Sequence, residues 1–235
     1  MSAIELVQYL SWVVFELIFV VALAKAARQR RRAAFDAALL FGAPALSIIL
    51  SVLRLNGVLP PSELLNDING ALILSLAYLL LRLVDDFSEA PGWLLAGSLA
   101  LLIALGGGLF AYDGAPPAWL TLAQVAYFVA LEIYAAVRFI RAARRTVGVT
   151  RRRMQAAAAG SLALALLIFD AGLQVAVRWP FLASLNTLLG LAAAVGYFLA
   201  FAPPAVLRRA WQEPELRAFL GQAARLPRLP DTAAI

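Results

Sequence analysis

The stretch 197–220 reads YFLAFAPPAVLRRAWQEPELRAFL and joins a hydrophobic helix to a polar tail. Pro204 has no backbone N–H to donate within a helix, and the residue before a proline is pushed away from helical dihedral angles. The hydrophobic helix is therefore predicted to end or kink at Pro203-Pro204. Arg208 and Arg209 then mark the water side. We call the junction at Pro203 and Pro204 the seam.

Beyond the seam, the tail has the pattern of an amphipathic helix. Pro214 lies between two acidic residues, and both features are typical of a first helical turn, so a helix is predicted to start at 213–215. Apolar residues then recur at helical spacing: Leu216, Phe219, Leu220 and Ala223. This stripe is predicted either to pair with a second copy of the chain or to lie on the lipid surface with Trp211 as its interfacial anchor.

The composition is that of a membrane protein. The chain has 235 residues, of which 63% are hydrophobic and 14% charged, whereas soluble domains are about one quarter charged. Its net charge of +6 comes from short basic clusters between apolar runs, so we predict contacts with membrane lipids and no nucleic-acid partner. Because the chain has no Cys and no His, it has no thiolate or imidazole ligand, and we predict no metal and no cofactor.

Seven apolar stretches reach or approach the length that crosses a bilayer core. They are 6–24, 33–53, 68–84, 93–112, 119–140, 156–177 and 181–202. The predicted fold is therefore all-α, a polytopic membrane protein with a seven-helix transmembrane bundle in residues 1–203. Residues 204–235 are predicted to form a cytoplasmic juxtamembrane linker.

The basic residues predict the orientation of this bundle. With the N-terminus outside and the C-terminus inside, 18 of the 20 Lys and Arg residues fall on the cytoplasmic side, and only Arg54 and Arg178 fall outside. Short cytoplasmic loops carry such an excess of positive charge. We use "outer" and "inner" below for the two ends of the bundle in this predicted orientation.

Ionisable residues at membrane depth are costly and usually face the bundle interior, so they are candidate functional residues. Glu16 lies near the middle of the first helix and Glu132 near the middle of the fifth. Both are expected to be protonated or hydrogen-bonded, because burial disfavours a charged carboxylate. Gln124 and Tyr127 lie on one face that extends towards Glu132.

The outer half of the sixth and seventh helices is the predicted ligand site. Asp170, Gln174 and Arg178 are spaced four residues apart on the sixth helix, and Asn186 lies on the seventh. Only a short turn joins these helices, so their outer ends must be neighbours and the polar groups can converge. The alternative is that these groups only form interhelical hydrogen bonds, each contributing roughly 0.6 kcal/mol.

Two further features leave alternatives open. Asp85, Asp86 and Glu89 form an acidic patch beside Arg82, which is either a divalent-cation or lipid-phosphate site or a set of carboxylates paired with neighbouring arginines. The glycines at 106–108 favour close helix packing over a helix break. No catalytic residue is predicted, because the chain carries no P-loop, G-x-S-x-G or H-E-x-x-H motif.

The seam and tail resemble one known family. The run 201–204, the segment 207–216, the pair 219–220 and the segment 226–232 are similar to the junction of bacterial sensor histidine kinases. In those proteins a seven-helix membrane domain leads into GAF or PAS domains and then a kinase core. The resemblance implies a non-catalytic sensor module in the bacterial inner membrane, which acts as a homodimer and passes an unknown signal to an output domain.

A transporter is the other interpretation. A small carrier or proton-conducting protein would use Glu16, Glu132 and Asp170 as relay carboxylates. Against a simple transporter plan, we find no convincing internal repeat, and seven helices do not divide into two inverted halves.

Overall fold

The computed structural model describes residues 3–112, 116–176 and 180–223, with the side chains of a few of them, mainly in the tail, left out. These ranges contain eight α-helices and no strand. The helices are α1 (Ala3–Gln29), α2 (Arg32–Leu55), α3 (Glu63–Ser88), α4 (Gly92–Leu109), α5 (Ala118–Arg145), α6 (Gly148–Ala176), α7 (Pro180–Phe201) and α8 (Ala205–Ala223). The first seven are long and apolar enough to span a membrane. The prediction of a seven-helix membrane bundle is confirmed.

Most helices extend beyond the apolar stretches that predict them. The predicted third stretch starts at residue 68, but α3 starts at Glu63, because the Ser62 side chain accepts a hydrogen bond from the Leu65 amide and caps the helix. Pro44 lies inside α2 without ending it. In α4, the helix continues through the three glycines and ends at Leu109. A methyl group on Gly108 would lie 3.1 Å from Leu120, so that glycine allows close packing.

Six helices close into a ring. Its order is α1, α2, α3, α5, α6, α7 and back to α1, while α4 lies outside and packs on α3 and α5. Gln124 donates to the Leu105 carbonyl and Tyr127 to the Ser98 carbonyl, so both residues fasten α4 to α5. The expected polar face from these two residues towards Glu132 therefore serves helix packing. At the inner end, Arg138 of α5 donates to the carbonyl of Glu89, the residue that caps α3.

Helices α6 and α7 cross with their backbones in close contact. A methyl group added to Gly196 would lie 2.7 Å from the Cα atom of Gly160. No side chain has room between the two backbones, so these glycines permit the crossing. The residues next to them, Ser161 and Tyr197, are both buried.

The acidic patch at the inner end is an ion-pair network. Asp85 and Asp86 lie in the last turn of α3, and each forms an ion pair with Arg32 of α2. Asp36 is buried and pairs with both Arg82 and Arg32. Of the two predicted alternatives, the structure shows pairing with a neighbouring arginine for Asp85 and Asp86. Glu89 forms no ion pair among the described residues. Among the described residues, no group of three or more acidic side chains is placed to hold a metal ion.

The predicted start of the tail helix is wrong. Helix α8 begins at Ala205, immediately after the two prolines, and runs through Pro214. Proline is tolerated at a helix start, where its missing N–H would have no intrahelical partner, and the Arg208 amide donates to the Pro204 carbonyl in the first turn. Trp211 is half-buried. The side chains of the predicted apolar stripe and of Pro214 lie outside the described part.

Candidate functional site

Helices of the ring line a partly open cavity of about 430 Å³. Helices α1, α2, α3, α6 and α7 contribute to its wall, and most of the lining is apolar. Leu40, Leu76 and Leu164 are examples from three of these helices. The volume falls within the range of sites that hold small organic molecules. The cavity is therefore the candidate ligand site of this chain.

Polar groups line the outer part of the cavity. Gln8 and Ser11 come from α1, Gln174 from α6, and Asn186 and Thr187 from α7. The Asn186 Oδ1 atom is buried and has no hydrogen-bond partner in the described part of the chain. A buried carbonyl oxygen without a partner is unfavourable by roughly 1–3 kcal/mol. A ligand that donates a hydrogen bond there would remove this penalty.

The structure brings together part of the predicted site. Gln174 and Asn186 both line the cavity, as the convergence of α6 and α7 requires. Asp170 is buried but is not among the lining residues; its Oδ2 accepts a hydrogen bond of 2.9 Å from Gln174 Nε2. Asp170 therefore holds the Gln174 amide in place. Arg178, predicted as a partner of Asp170, lies outside the described residues.

Tyr197 and Phe41 form the floor of the cavity. The Tyr197 hydroxyl donates to Glu132 Oε2 at 3.2 Å and lies 3.1 Å from Ser161 Oγ. Glu132 is fully buried, and its other oxygen has no hydrogen-bond partner in the described part. As expected, Glu132 is hydrogen-bonded. One side chain of α7 thus lines the cavity and contacts both α6, its neighbour in the ring, and α5, which lies beyond α6.

The three intramembrane acids lie apart from one another. Glu16 is half-buried on α1, and its Oε1 atom is buried without a hydrogen-bond partner in the described ranges. Glu132 bonds to Tyr197, and Asp170 bonds to Gln174. No hydrogen bond or ion pair among the described residues joins one of these acids to another. The structure does not bring them together as one relay.

Three aromatic rings connect the cavity floor to the end of α7. The Phe41 and Tyr197 ring centroids are 5.8 Å apart, and the Phe41 and Phe201 centroids are 5.2 Å apart. Phe201 is the last residue of α7. Aromatic pairs at these distances contact each other directly. A displacement of Tyr197 at the cavity floor can therefore be passed through the Phe41 ring to Phe201, which ends α7 just before the seam.

The end of α7 is held by cations from two neighbouring helices. Pro203 and Pro204 have no N–H to donate back into α7, so carbonyl groups of its last turn need other donors. Lys25 Nζ of α1 donates to the Phe201 carbonyl at 2.7 Å, and Arg153 Nε of α6 donates to the Ala200 carbonyl at 2.6 Å. The sequence reasoning missed both bonds. The proline pair could have indicated them, because it predicts that carbonyl groups in the last turn of α7 lack backbone donors.

No protein-family model, curated protein or solved structure matches this chain. The likeness of the tail to sensor histidine kinases therefore stays a resemblance.

Proposed function

We propose that this chain is the membrane-embedded sensor module of a bacterial two-component receptor in the inner membrane. It would receive a signal within the helix ring and pass it through α7 and α8 to a cytoplasmic output domain. The observation that carries this proposal is the continuity of the cavity floor with the seam, from Tyr197 to Phe201. The module itself carries out no catalysis.

The cavity suits a small apolar or amphipathic ligand. Its walls are mostly aliphatic and aromatic, so the body of the ligand must be apolar. The Asn186 oxygen and the Gln174 amide are at its polar end, so a hydroxyl or N–H group on the ligand would find an acceptor there. This pattern favours a molecule that reaches the site from the membrane or through its outer face.

An outer groove gives such a molecule a path. Gln8 and Trp12 line both the cavity and a second hollow of about 500 Å³, which also borders Arg54 and Pro61. Arg54 is one of the two basic residues predicted to lie outside.

Signalling requires the ligand to bind two conformations of the bundle with different affinity. Tyr197 is the side chain best placed to distinguish them, because it contacts the cavity, bonds to Glu132 and touches Phe201. A ligand that presses on Tyr197 would change its packing against Phe41 and Phe201. The end of α7 and the first turn of α8 would then shift together.

The test fuses this chain to a complete kinase output half and measures autophosphorylation in proteoliposomes. Gly190 lines the cavity, so Gly190→Leu places a side chain inside it. Gly97→Leu is the matched control, because Gly97 lies exposed on α4 with no atom near its would-be Cβ. We expect Gly190→Leu to fix the basal activity high or low and to remove the response to butanol and octanol, used as amphipathic probes.

The control Gly97→Leu should retain the wild-type basal activity and response. Equal behaviour of the two leucine variants, both folded, would contradict the assignment of the cavity. Asn186→Ala tests the polar end separately. An unchanged octanol response in that variant would exclude Asn186 from the ligand site. Glu16 and Glu132 would then be the next candidates.

The resemblance also implies a homodimer. The side chains of the apolar stripe lie outside the described part of α8, so pairing through this face stays a prediction. Cysteine crosslinking at Phe219 within one lipid nanodisc is the direct test. A strictly monomeric particle would favour the alternative, in which α8 lies on the lipid surface and the half-buried Trp211 anchors it.

A proton-conducting or carrier function is the second candidate, and one observation favours it. Tyr197 lines the cavity and bonds to Glu132, so a protonatable group lies one hydrogen bond below the cavity floor. Proton or solute flux into proteoliposomes separates the two functions. Robust flux that Glu132→Gln abolishes would replace the sensor proposal with this one.

A further inference from the structure

Three cations from three different helices lie at or just beyond the end of α7. Lys25 of α1 and Arg153 of α6 donate to the adjacent carbonyls of Phe201 and Ala200, which places their charged groups side by side. Arg208 lies in the first turn of α8, which begins four residues after the end of α7 and packs against α6, the helix that carries Arg153. We call these three residues the seam cations.

The seam cations have no acidic partner in the described part of the chain. The ion pairs found there involve Arg32, Arg82 and Arg217 instead. Three like charges held together without an anion repel one another. Between α2 and α3, by contrast, carboxylates pair with Arg32 and Arg82.

The seam cations also keep unused hydrogen-bond donors. A lysine ammonium has three donors and an arginine guanidinium has five, and the carbonyl bonds use one donor each on Lys25 and Arg153. Lys25 and Arg208 are exposed, and Arg153 is half-buried. The free donors are therefore accessible from the inner surface of the membrane.

We propose that the seam cations bind the phosphate group of an anionic lipid in the inner leaflet. The cluster lies where the membrane-spanning helices end, which is the depth of the headgroups. A phosphate offers several acceptor oxygens and the negative charge that the cluster lacks, and basic pockets between membrane helices on the cytoplasmic side bind such headgroups. One phosphate would bridge α1, α6 and α8.

The bound headgroup would hold α8 against the end of α7. Without it, repulsion between Arg208 and the two capping cations pushes the first turn of α8 away from the bundle. With it, the same three charges attract a shared anion, and α8 is drawn in. The anionic lipid content of the membrane would thus set the resting position of the tail, independently of any ligand in the cavity.

The experiment compares the chain in nanodiscs of phosphatidylcholine with the chain in nanodiscs that also contain phosphatidylglycerol. Thermal unfolding and amide hydrogen exchange of residues 205–212 are the two measurements. For the wild type we expect phosphatidylglycerol to raise Tm by about 3 °C and to slow exchange in the first turns of α8. Neither readout depends on kinase signalling or on a cavity ligand.

Arg208→Gln is the informative variant, because it removes one seam cation and leaves both bonds to the α7 carbonyls intact. Arg209→Gln is its matched control, since it removes the same charge from the neighbouring position of the same helix. We expect Arg208→Gln to lose most of the lipid-dependent shift and Arg209→Gln to keep it. Equal losses in both variants would show a general surface-charge effect and overturn the proposal.

Two further outcomes are decisive. If the wild type shows no shift with phosphatidylglycerol, the site does not bind anionic lipid and the proposal is wrong. If inorganic phosphate added to phosphatidylcholine nanodiscs reproduces the full shift, the cluster is a site for free phosphate and the lipid assignment is overturned. A shift with phosphatidylglycerol alone, lost in Arg208→Gln, supports it.

Discussion

The two ends of the bundle satisfy their polar groups in different ways. At the inner end, Asp36 pairs with Arg82 and Arg32, and Lys25 and Arg153 occupy the carbonyls at the end of α7. At the outer end, Gln174 and Asn186 face a cavity, and one buried amide oxygen has no described partner. The inner end is held by ion pairs and by cations on backbone carbonyls, while the outer ends of α6 and α7 keep space and hydrogen-bonding capacity for a guest molecule. Helices α2 and α3 are joined at the outer end by hydrogen bonds between side chains.

This difference suits a module that receives at one end and transmits from the other. At the outer end, the polar groups of α6 and α7 have few hydrogen-bond partners, so these helices can change their packing at low energetic cost. At the inner end, ion pairs and bonds to backbone carbonyls hold neighbouring helices together. Regions that bind ligands are commonly drawn from the less stable part of a fold. Substitutions at the inner end are therefore expected to cost more stability than substitutions at the outer end.

The largest effect is expected from Arg82→Met at the inner end. The Asp36 side chain is 1% exposed, and after this substitution only Arg32, at 3.7 Å, would remain near it. Arg32 is mostly exposed and compensates the buried charge only weakly, so we expect a loss of about 3 kcal/mol in the free energy of unfolding. Unfolding in detergent micelles measures it. Arg217→Met breaks an exposed pair instead, and a loss as large there would contradict the contrast.

A smaller loss is expected from Gly196→Ala, midway between the two ends. The added methyl group would lie 2.7 Å from the Cα atom of Gly160, and backbone cannot rotate out of the way. We expect α6 and α7 to separate and the free energy of unfolding to fall by about 2 kcal/mol. Gly97→Ala is the control, since it adds the same methyl group in open space. Similar stability of the two variants would mean that the crossing adapts freely.

Tyr197→Phe should cost less again, about 1.5 kcal/mol, because it removes the hydrogen bond to the buried Glu132 and strands that carboxyl group. The same measurement on Tyr9→Phe, at an exposed position of α1, controls for the loss of a hydroxyl. If Tyr197 also reports the state of the cavity, the kinase fusion should lose its octanol response in this variant. A stable Tyr197→Phe protein with a full octanol response would show that the hydrogen bond between Tyr197 and Glu132 is not needed for signalling.

The smallest effect is expected from Asp170→Asn at the outer end. Asparagine keeps an oxygen that accepts the hydrogen bond from Gln174, so the free energy of unfolding should change by no more than about 0.5 kcal/mol. Asp36→Asn makes the same substitution at the inner end, where the lost charge faces two arginines. Differential scanning of both variants side by side gives the comparison. An equal loss in the two would show that Asp170 is a structural latch as well.

The seven helices were predictable from the sequence because each membrane span needs its own long apolar run. The contacts between them were not, because hydrophobic runs do not specify which helices are neighbours. Asp36 interrupts the second apolar run. Only the packing of α2 against α3 shows that it forms an ion pair with Arg82. Both residues lie at the inner ends of consecutive helices, so this pair was within reach of sequence reasoning.

The site was predictable in part. The short connection between α6 and α7 predicted that Gln174 and Asn186 meet, and both line the cavity. The contributions of α1 and α2 were not predicted, since their lining residues are mostly ordinary apolar ones. The start of α8 was misplaced because Pro214 was taken as a first-turn residue, whereas the helix begins at Ala205, directly after Pro203 and Pro204.

The ring order has a consequence for electrostatics along the bundle axis. With α4 outside, α3 and α5 become neighbours that run in the same direction, and so do α7 and α1. The macrodipoles of such parallel neighbours repel, and the negative ends of all four helices gather at the inner side. Each parallel pair carries a cation across this junction: Arg138 of α5 reaches the Glu89 carbonyl beyond α3, and Lys25 of α1 reaches the Phe201 carbonyl of α7. The positive charges that orient the chain in the membrane thus also neutralise the unfavourable dipole alignment that this ring creates.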